Sequence, residues 1–483
     1  MSEGETGLIR VFDLANVYSV MAIQTEDLGT RSGDGFAMAG RAALAAPRGC
    51  SLMAVCRDSM NAHERHRTRT LWLAGVLHAF THVYQVALMP LYLLIQRDFK
   101  FASVGQATLL LTVMMAACFG PSYPIGVLAD RMNRNKLLGF GLALNGLGFV
   151  ALALAPNYAW ALVAVAVAGF GGSFYHPAAT ATVVRLFPDS AGKALGLVGI
   201  GAGVGFFVGP IYAGWRASLL EPVLGPAAWR QPVLELGVLG IVVAALFAWL
   251  ADTEQPAAAS ERKTVPAGKM FPTPALWFFF LAYCLAFSVR DFAGASMGSL
   301  SSLFLQNAHN YDPKWTGLAL SGIYVAATIS NPLFGYLSDG GRKRWITLAL
   351  VVAAVMVALL PCVPPRWTIV VLVVYGFFFL ATYPMTEAAL MESVPDAVRG
   401  RVFGIFVMGG GVIGNLSHWL VGAKVKQLGA AAYSVNAYLP IYAVIAFLML
   451  VSLAGLLCLP AIQRREAPVT HKATEEDSMP LLT

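Results

Sequence analysis

Gly126-Val127-Leu128-Ala129-Asp130-Arg131, followed by Arg134 and Lys136, recurs as Gly335-Tyr336-Leu337-Ser338-Asp339-Gly340, followed by Arg342, Lys343 and Arg344. Each copy sits between two apolar stretches, at the corresponding place in its half of the chain. A duplicated polar hinge in hydrophobic sequence implies two parallel helical bundles, fused end to end, that move against each other in a membrane.

The repeat reaches further. Phe174-Tyr175-His176-Pro177, closing with Phe187-Pro188-Asp189, has its counterpart in Ala381-Thr382-Tyr383-Pro384, closing with Val394-Pro395-Asp396. The interval from Pro177 to Pro188 equals that from Pro384 to Pro395, and the offset between the copies agrees with that of the loops to within two residues. Two six-helix repeats are the economical explanation.

Composition supports a bilayer setting. Hydrophobic residues make up 57% of the chain and charged residues 12%, with a mean hydropathy of +0.65. Soluble domains carry about 25% charged residues, so too little polar surface remains to cover a globule in water. Each of twelve candidate spans approaches the roughly 20 residues a bilayer needs: 71–95, 104–127, 136–155, 159–184, 194–216, 232–251, 275–303, 315–337, 345–362, 367–391, 401–424 and 437–460. The fold class expected is an all-α integral membrane protein of twelve transmembrane helices.

The domain reading follows. Residues 1–70 form a poorly ordered extension, with 1–59 read as an over-called start; 71–251 and 274–460 are the six-helix bundles; 252–273 is a polar, proline-rich linker; and 461–483 is a charged tail. Basic residues set the orientation. With both termini in the cytoplasm, the inner loops hold Arg131, Arg134, Lys136, Arg185, Lys193, Arg262, Lys263, Lys269, Arg342, Lys343, Arg344, Arg399 and Arg401, more than the outer loops hold. The net charge of +7 is dispersed in twos and threes, so no nucleic-acid partner is expected. The 6 cysteines show no metal or disulfide spacing, and no metal or cofactor is expected.

Over about residues 70–460 the chain resembles the major facilitator superfamily. The two Gly-x-Leu-Ala/Ser-Asp loops look like its signature after the second and eighth spans. Gly196, Gly205, Gly209-Pro210 and Ala213-Gly214 are similar to a motif that its proton-coupled exporters carry in the fifth span. Asn133 and Gly340 depart from the usual loop pattern, and Ala213 replaces a glycine. His78, Gln85 and Gly172-Ser173-Phe174-Tyr175-His176-Pro177-Ala178 resemble the fosmidomycin-resistance branch. The resemblance implies that spans 1, 4, 7 and 10 line a central cavity. It also implies that Gly126, Asp130, Arg131, Gly335, Asp339 and Arg342, with Gly205, Gly209 and Pro210, govern gating.

A charge at bilayer depth is costly and needs a reason. Most ionisable residues well inside spans fall on the four cavity spans: His78, His82, His176, Arg290, Asp291 and Glu387, with His418 in span 11 the outlier. His78 and His82 share a helical face, with Gln85 one turn on, and histidine titrates near physiological pH. Packing by hydrogen bonds is the competing reading, as capping of a proline break is for His176. Arg290 and Asp291 are adjacent, point about 100° apart, and are expected to need separate partners. Arg290 suits an anion or a bridge to another helix. Glu387, ahead of Asp291, is the expected proton carrier, against a place at the cytoplasmic rim. Expected substrate contacts are His78, His82, Gln85, Tyr175, His176 and Arg290.

These readings combine into a monomeric, proton-coupled, alternating-access exporter of a small anionic or zwitterionic, antibiotic-like compound in the inner (plasma) membrane. Proton-coupled uptake of a small organic acid on the same fold is the alternative. An enzyme or a channel fits less well, since no Walker, His-Glu-x-x-His or Gly-x-Ser-x-Gly motif is present.

Overall fold

The computed structural model describes residues 5–12, 22–32, 35–41, 50–129, 131–187, 191–251 and 270–463. Asp130, most of the expected linker and nearly all of the expected tail lie outside the described residues.

The chain divides into two units, Met1–Arg69 and Thr70–Thr483. The first differs from the expected poorly ordered extension. Its strands β1 (Thr6–Phe12), β2 (Ala22–Ser32) and β3 (Gly35–Arg41) form an antiparallel sheet in the order β1-β2-β3. Thr6 faces Thr30 across the ladder, and their hydroxyls share a hydrogen bond of 2.9 Å.

The second unit is helical. Its first half runs α1 (Cys50–Val86, beginning in the first unit), α2 (Tyr92–Asp98), α3 (Val104–Phe119), α4 (Ser122–Ala129), α5 (Arg134–Ala153), α6 (Tyr158–Gly172), α7 (Tyr175–Leu186), α8 (Ala191–Leu224) and α9 (Arg230–Leu250). Its second half runs α10 (Pro274–Ala308), α11 (Pro313–Val325), α12 (Ala327–Ser338), α13 (Arg342–Leu359), α14 (Thr368–Met391), α15 (Asp396–Leu428), α16 (Leu439–Val451) and α17 (Leu459–Gln463). Among the described residues, 11 helical segments are long and apolar enough to cross a membrane. One of them, Ala194–Leu250, is 57 residues long, enough for two spans of roughly 20 residues and the turn between them. It comprises α8 and α9, separated where Gly225 takes φ +57°, a left-handed turn suited to glycine. Counting these as two gives the expected twelve spans.

Local chemistry sets many of the helix starts. Ser103, Asn133, Asn157, Thr273 and Asp312 each accept a backbone N–H from the first turn of α3, α5, α6, α10 and α11. Asn133, the departure from the usual loop pattern, is thus the N-cap of α5. Several spans are broken, among them α3/α4 at Gly120-Pro121, α6/α7 at Ser173-Phe174 and α11/α12 at Ala326. The second break leaves Pro177 in the first turn of α7, where its missing N–H costs little. Large apolar side chains such as Trp72, Val223, Trp249 and Phe278 point outward, as a lipid-facing surface requires.

Candidate functional site

The two helical halves meet tightly at the end remote from the loop signatures. A Cβ at Gly317 of α11 would lie 2.1 Å from the Pro210 carbonyl oxygen of α8, and one at Gly214 would lie 2.1 Å from that of Pro313. On the other flank, a Cβ at Gly422 of α15 would come 2.2 Å from Thr108 Oγ1 of α3. Such distances admit only glycine and let helix backbones touch. Hydrogen bonds reinforce the seal: Ser321 Oγ donates to the Phe207 carbonyl at 2.7 Å, Thr112 Oγ1 to that of Asn415 at 3.0 Å, and Ser302 Oγ to that of Met89 at 2.6 Å. The buried row Tyr92–Ser299–His418–Asn415 belongs to this seam, with links of 2.9, 2.8 and 3.0 Å. His418, the outlier, therefore sits in a packed contact between halves.

In the first half, α1 and α7 bring His78, His82, Tyr175 and His176 together. His78 stacks on Tyr175 at 4.7 Å, and the His176 ring lies 5.3 Å from His78 and 5.6 Å from His82. His78 Nδ1 donates to the Val198 carbonyl at 3.0 Å; His82 Nδ1 faces Gln85 Oε1 at 2.8 Å; the two Nε2 atoms are 3.0 Å apart. Tyr175 spends its hydroxyl on the Ala74 carbonyl, 2.8 Å away. His176 is exposed.

In the second half, Arg290 is 1% exposed. The pair read as unable to meet does meet: Arg290 Nη2 lies 2.7 Å and Nε 2.9 Å from Asp291 Oδ1. A helical wheel fixes where Cβ atoms point, but the long arginine side chain folds across the intervening angle. Nη1 reaches α14, donating to Thr386 Oγ1 at 2.7 Å, and the guanidinium lies 4.2 Å above the Tyr383 ring. The Asp291 carboxylate turns toward α15. Gly410 and Gly414 of α15 make room for that carboxylate, since a Cβ on Gly410 would fall 2.4 Å from Asp291 Oδ2. Glu387 follows Thr386, so it lies level with Arg290. It is half-buried and has neither a hydrogen bond nor an ion pair among the described residues.

Aromatic rings carry the first group across to the second half. Phe206 of α8 stacks on His82 at 4.0 Å and on Tyr324 of α11 at 4.7 Å. Sequence reading missed Phe206, Tyr324, Tyr383 and Thr386, because unbroken apolar runs give no sign of which aromatic ring bridges two bundles.

The loop signatures are unequal in what can be described. In the second, Arg342 donates to Asp339 Oδ1 at 3.0 Å and to Glu392 at the end of α14 at 2.8 Å. In the first, Arg131 is exposed, Gly126 packs loosely on Pro177, and Arg134 Nε reaches the Ala129 carbonyl at 3.3 Å. Gly335 has open space around it. The α8 glycines have a defined partner: Cβ atoms at Gly201 and Gly205 would lie 2.0 and 2.1 Å from the Gly75 and Ala79 carbonyl oxygens, and one at Gly209 would lie 3.0 Å from that of Val83. Three positions spaced four apart on α8 thus meet three spaced four apart on α1.

A sequence profile described as the Major Facilitator Superfamily matches residues 71–417 and, in a second overlapping match, 283–481. The chain belongs to the major facilitator superfamily. It is a multi-pass membrane transporter, and members of this superfamily carry small molecules. Among curated relatives, it is 24% identical over 373 residues to the fosmidomycin resistance protein of Escherichia coli (strain K12), covering 75% of this chain and 88% of the relative. It is also 24% identical over 365 residues to the multi-drug resistance efflux pump PmrA of Streptococcus pneumoniae, covering 72% and 87%. The fold is similar to a crystal structure of a bacterial homolog of the human lysosomal transporter Spinster, with a TM-score of 0.62 at 16% identity, covering 83% of this chain and 96% of that one.

Proposed function

We propose that this superfamily member is a proton-coupled, alternating-access exporter of a small anionic or zwitterionic organic compound, working as a monomer in the inner (plasma) membrane with both termini cytoplasmic. The observation that carries the reading is Glu387: a half-buried carboxylate without hydrogen bond or ion pair among the described residues, level with the Arg290–Asp291 pair. A carboxylate so placed within a span is expected to carry a proton. The names of the relatives, fosmidomycin resistance protein and multi-drug efflux pump, support export and an antibiotic-like cargo. The basic loops put the signature end in the cytoplasm, which makes the sealed end the outer one.

In this scheme His78, His82, Gln85, Tyr175 and His176 supply the contacts of the first half. Arg290, covered in this conformation, holds Asp291 and lends positive charge to the second half; it meets the cargo once the halves rock. Asp291 serves beside Glu387, and Asp130, Arg131, Asp339 and Arg342 latch the cytoplasmic side. Everted vesicles given an inward-acid pH gradient test the direction. Accumulation of an anionic antimicrobial inside them supports export, whereas accumulation only in right-side-out vesicles means uptake. Glu387→Gln is expected to abolish pH-driven accumulation while leaving the elution profile and helix content unchanged; full proton coupling in that variant removes Glu387 from the mechanism.

A further inference from the structure

With Gln85 Oε1 turned toward His82, the nitrogen atoms of His78 and His82 pose a problem that hydrogen bonding between neutral imidazoles does not resolve. The Val198 carbonyl can only accept, so His78 carries its proton on Nδ1 and presents a bare Nε2. Gln85 Oε1 likewise accepts, so His82 carries its proton on Nδ1 and also presents a bare Nε2. These two lone pairs face each other across 3.0 Å. Two acceptors at that distance repel unless something positive lies between or beside them.

We propose that His78, His82 and His176 bind one late first-row divalent cation, of the zinc, cobalt or nickel class. One nitrogen from each residue lies within 4.8 Å of the others. Metal–imidazole bonds of about 2.0–2.1 Å at tetrahedral angles put two ligand nitrogens about 3.3 Å apart. The His78–His82 separation is close to this, and a side-chain rotation of His176 completes the set. The outer contacts are those a metal-binding histidine uses: the ring N–H away from the ion is held by a carbonyl in one ligand and by a carboxamide in the other, fixing tautomer and ring orientation. Imidazole suits this class of ion, and three such ligands leave a fourth position open to water or an anion. His176 has accessible surface, so an ion can reach the site. This differs from the absence of a metal expected from cysteine spacing, because the ligands come from two helices distant in sequence. It goes beyond the transport reading and shares with it the three histidines and Gln85.

The competing arrangement turns the Gln85 amide over, so that its NH2 donates to His82 Nδ1 and His82 donates Nε2–H to His78 with no ion present. Tag-free, full-length protein in detergent, stripped with chelator and titrated with Co2+, separates the two. The expected result is one Co2+ per chain with the visible absorption of a four-coordinate nitrogen site, displaced by Zn2+. X-ray absorption of the zinc-loaded wild type is expected to show three imidazoles, a readout needing no variant. His82→Gln and His176→Gln are expected to abolish the cobalt spectrum, and Gln85→Leu to weaken binding about 10–100-fold, while His309→Gln, in the loop after α10, changes nothing. Substoichiometric binding, fewer than three imidazoles, or unchanged affinity in His82→Gln overturns the proposal. Export measured on a chain that binds no ion would leave the transport reading standing, and ion binding by a chain that exports nothing would leave the site standing.

Discussion

Arg290 and Asp291 occupy consecutive positions on α10, yet their side chains form one ion pair that is tied to α14 through Thr386. Removing either member leaves the other charged and buried, which costs about 3–5 kcal/mol, whereas replacing both at once often costs little. Arg290→Met alone is therefore expected to lower thermal stability in detergent sharply, and adding Asp291→Asn to recover most of the loss. Additive losses in this double-mutant cycle would show that the two charges act independently. The presence of both groups was legible in the sequence, because a charge within a span stands out. Their pairing was not, since helix periodicity gives the direction of Cβ and says nothing of where two further methylenes carry a guanidinium. The same limit applies to the histidines. The shared face of His78 and His82 follows from their spacing, but the approach of His176 depends on how α7 packs against α1.

At the scale of elements, the glycines of α8 separate into two kinds. Gly205 lies on the face that touches α1, where a Cβ would meet the Ala79 carbonyl oxygen at 2.1 Å; Gly196 has nothing within 4 Å. Gly205→Ala must push two backbones apart and is expected to destabilise by about 1–3 kcal/mol and to slow transport, while Gly196→Ala is expected to leave both unchanged. Equal effects would mean that glycine serves α8 generally and not one contact. The density of glycine was visible in the sequence, but its partner was not, because composition marks a smooth face without naming what lies on it. Element boundaries show a similar division. The spans are legible from hydropathy, whereas α1 begins at Cys50, well ahead of the apolar run, because the helix continues through polar residues that hydropathy does not mark.

At the scale of the whole molecule, alternating access requires the seam between the halves to part once in every cycle. The seam rests on glycine contacts, Gly214 and Gly317 on one flank and Gly105 and Gly422 on the other, with uncharged hydrogen bonds such as Ser321–Phe207 and Thr112–Asn415 between them. Small-residue contacts hold through packing over short distances, so a modest separation releases most of their energy together, and such a joint can open and reclose. An ion pair buried at the same place would have to shed its water again at every closing, and the buried pair Arg290–Asp291 lies within one half. The seam can be locked to test this. In a background lacking the native cysteines, Ser218→Cys combined with Lys314→Cys places two thiols where α8 and α11 already touch, the Lys314 N–H donating to Ser218 Oγ at 2.9 Å. Oxidation is expected to stop transport completely, and reduction to restore it, with the single variants insensitive to either treatment. Undiminished transport by the fully cross-linked protein would show that this end never opens, and the rocking of one half against the other could not then be how cargo crosses.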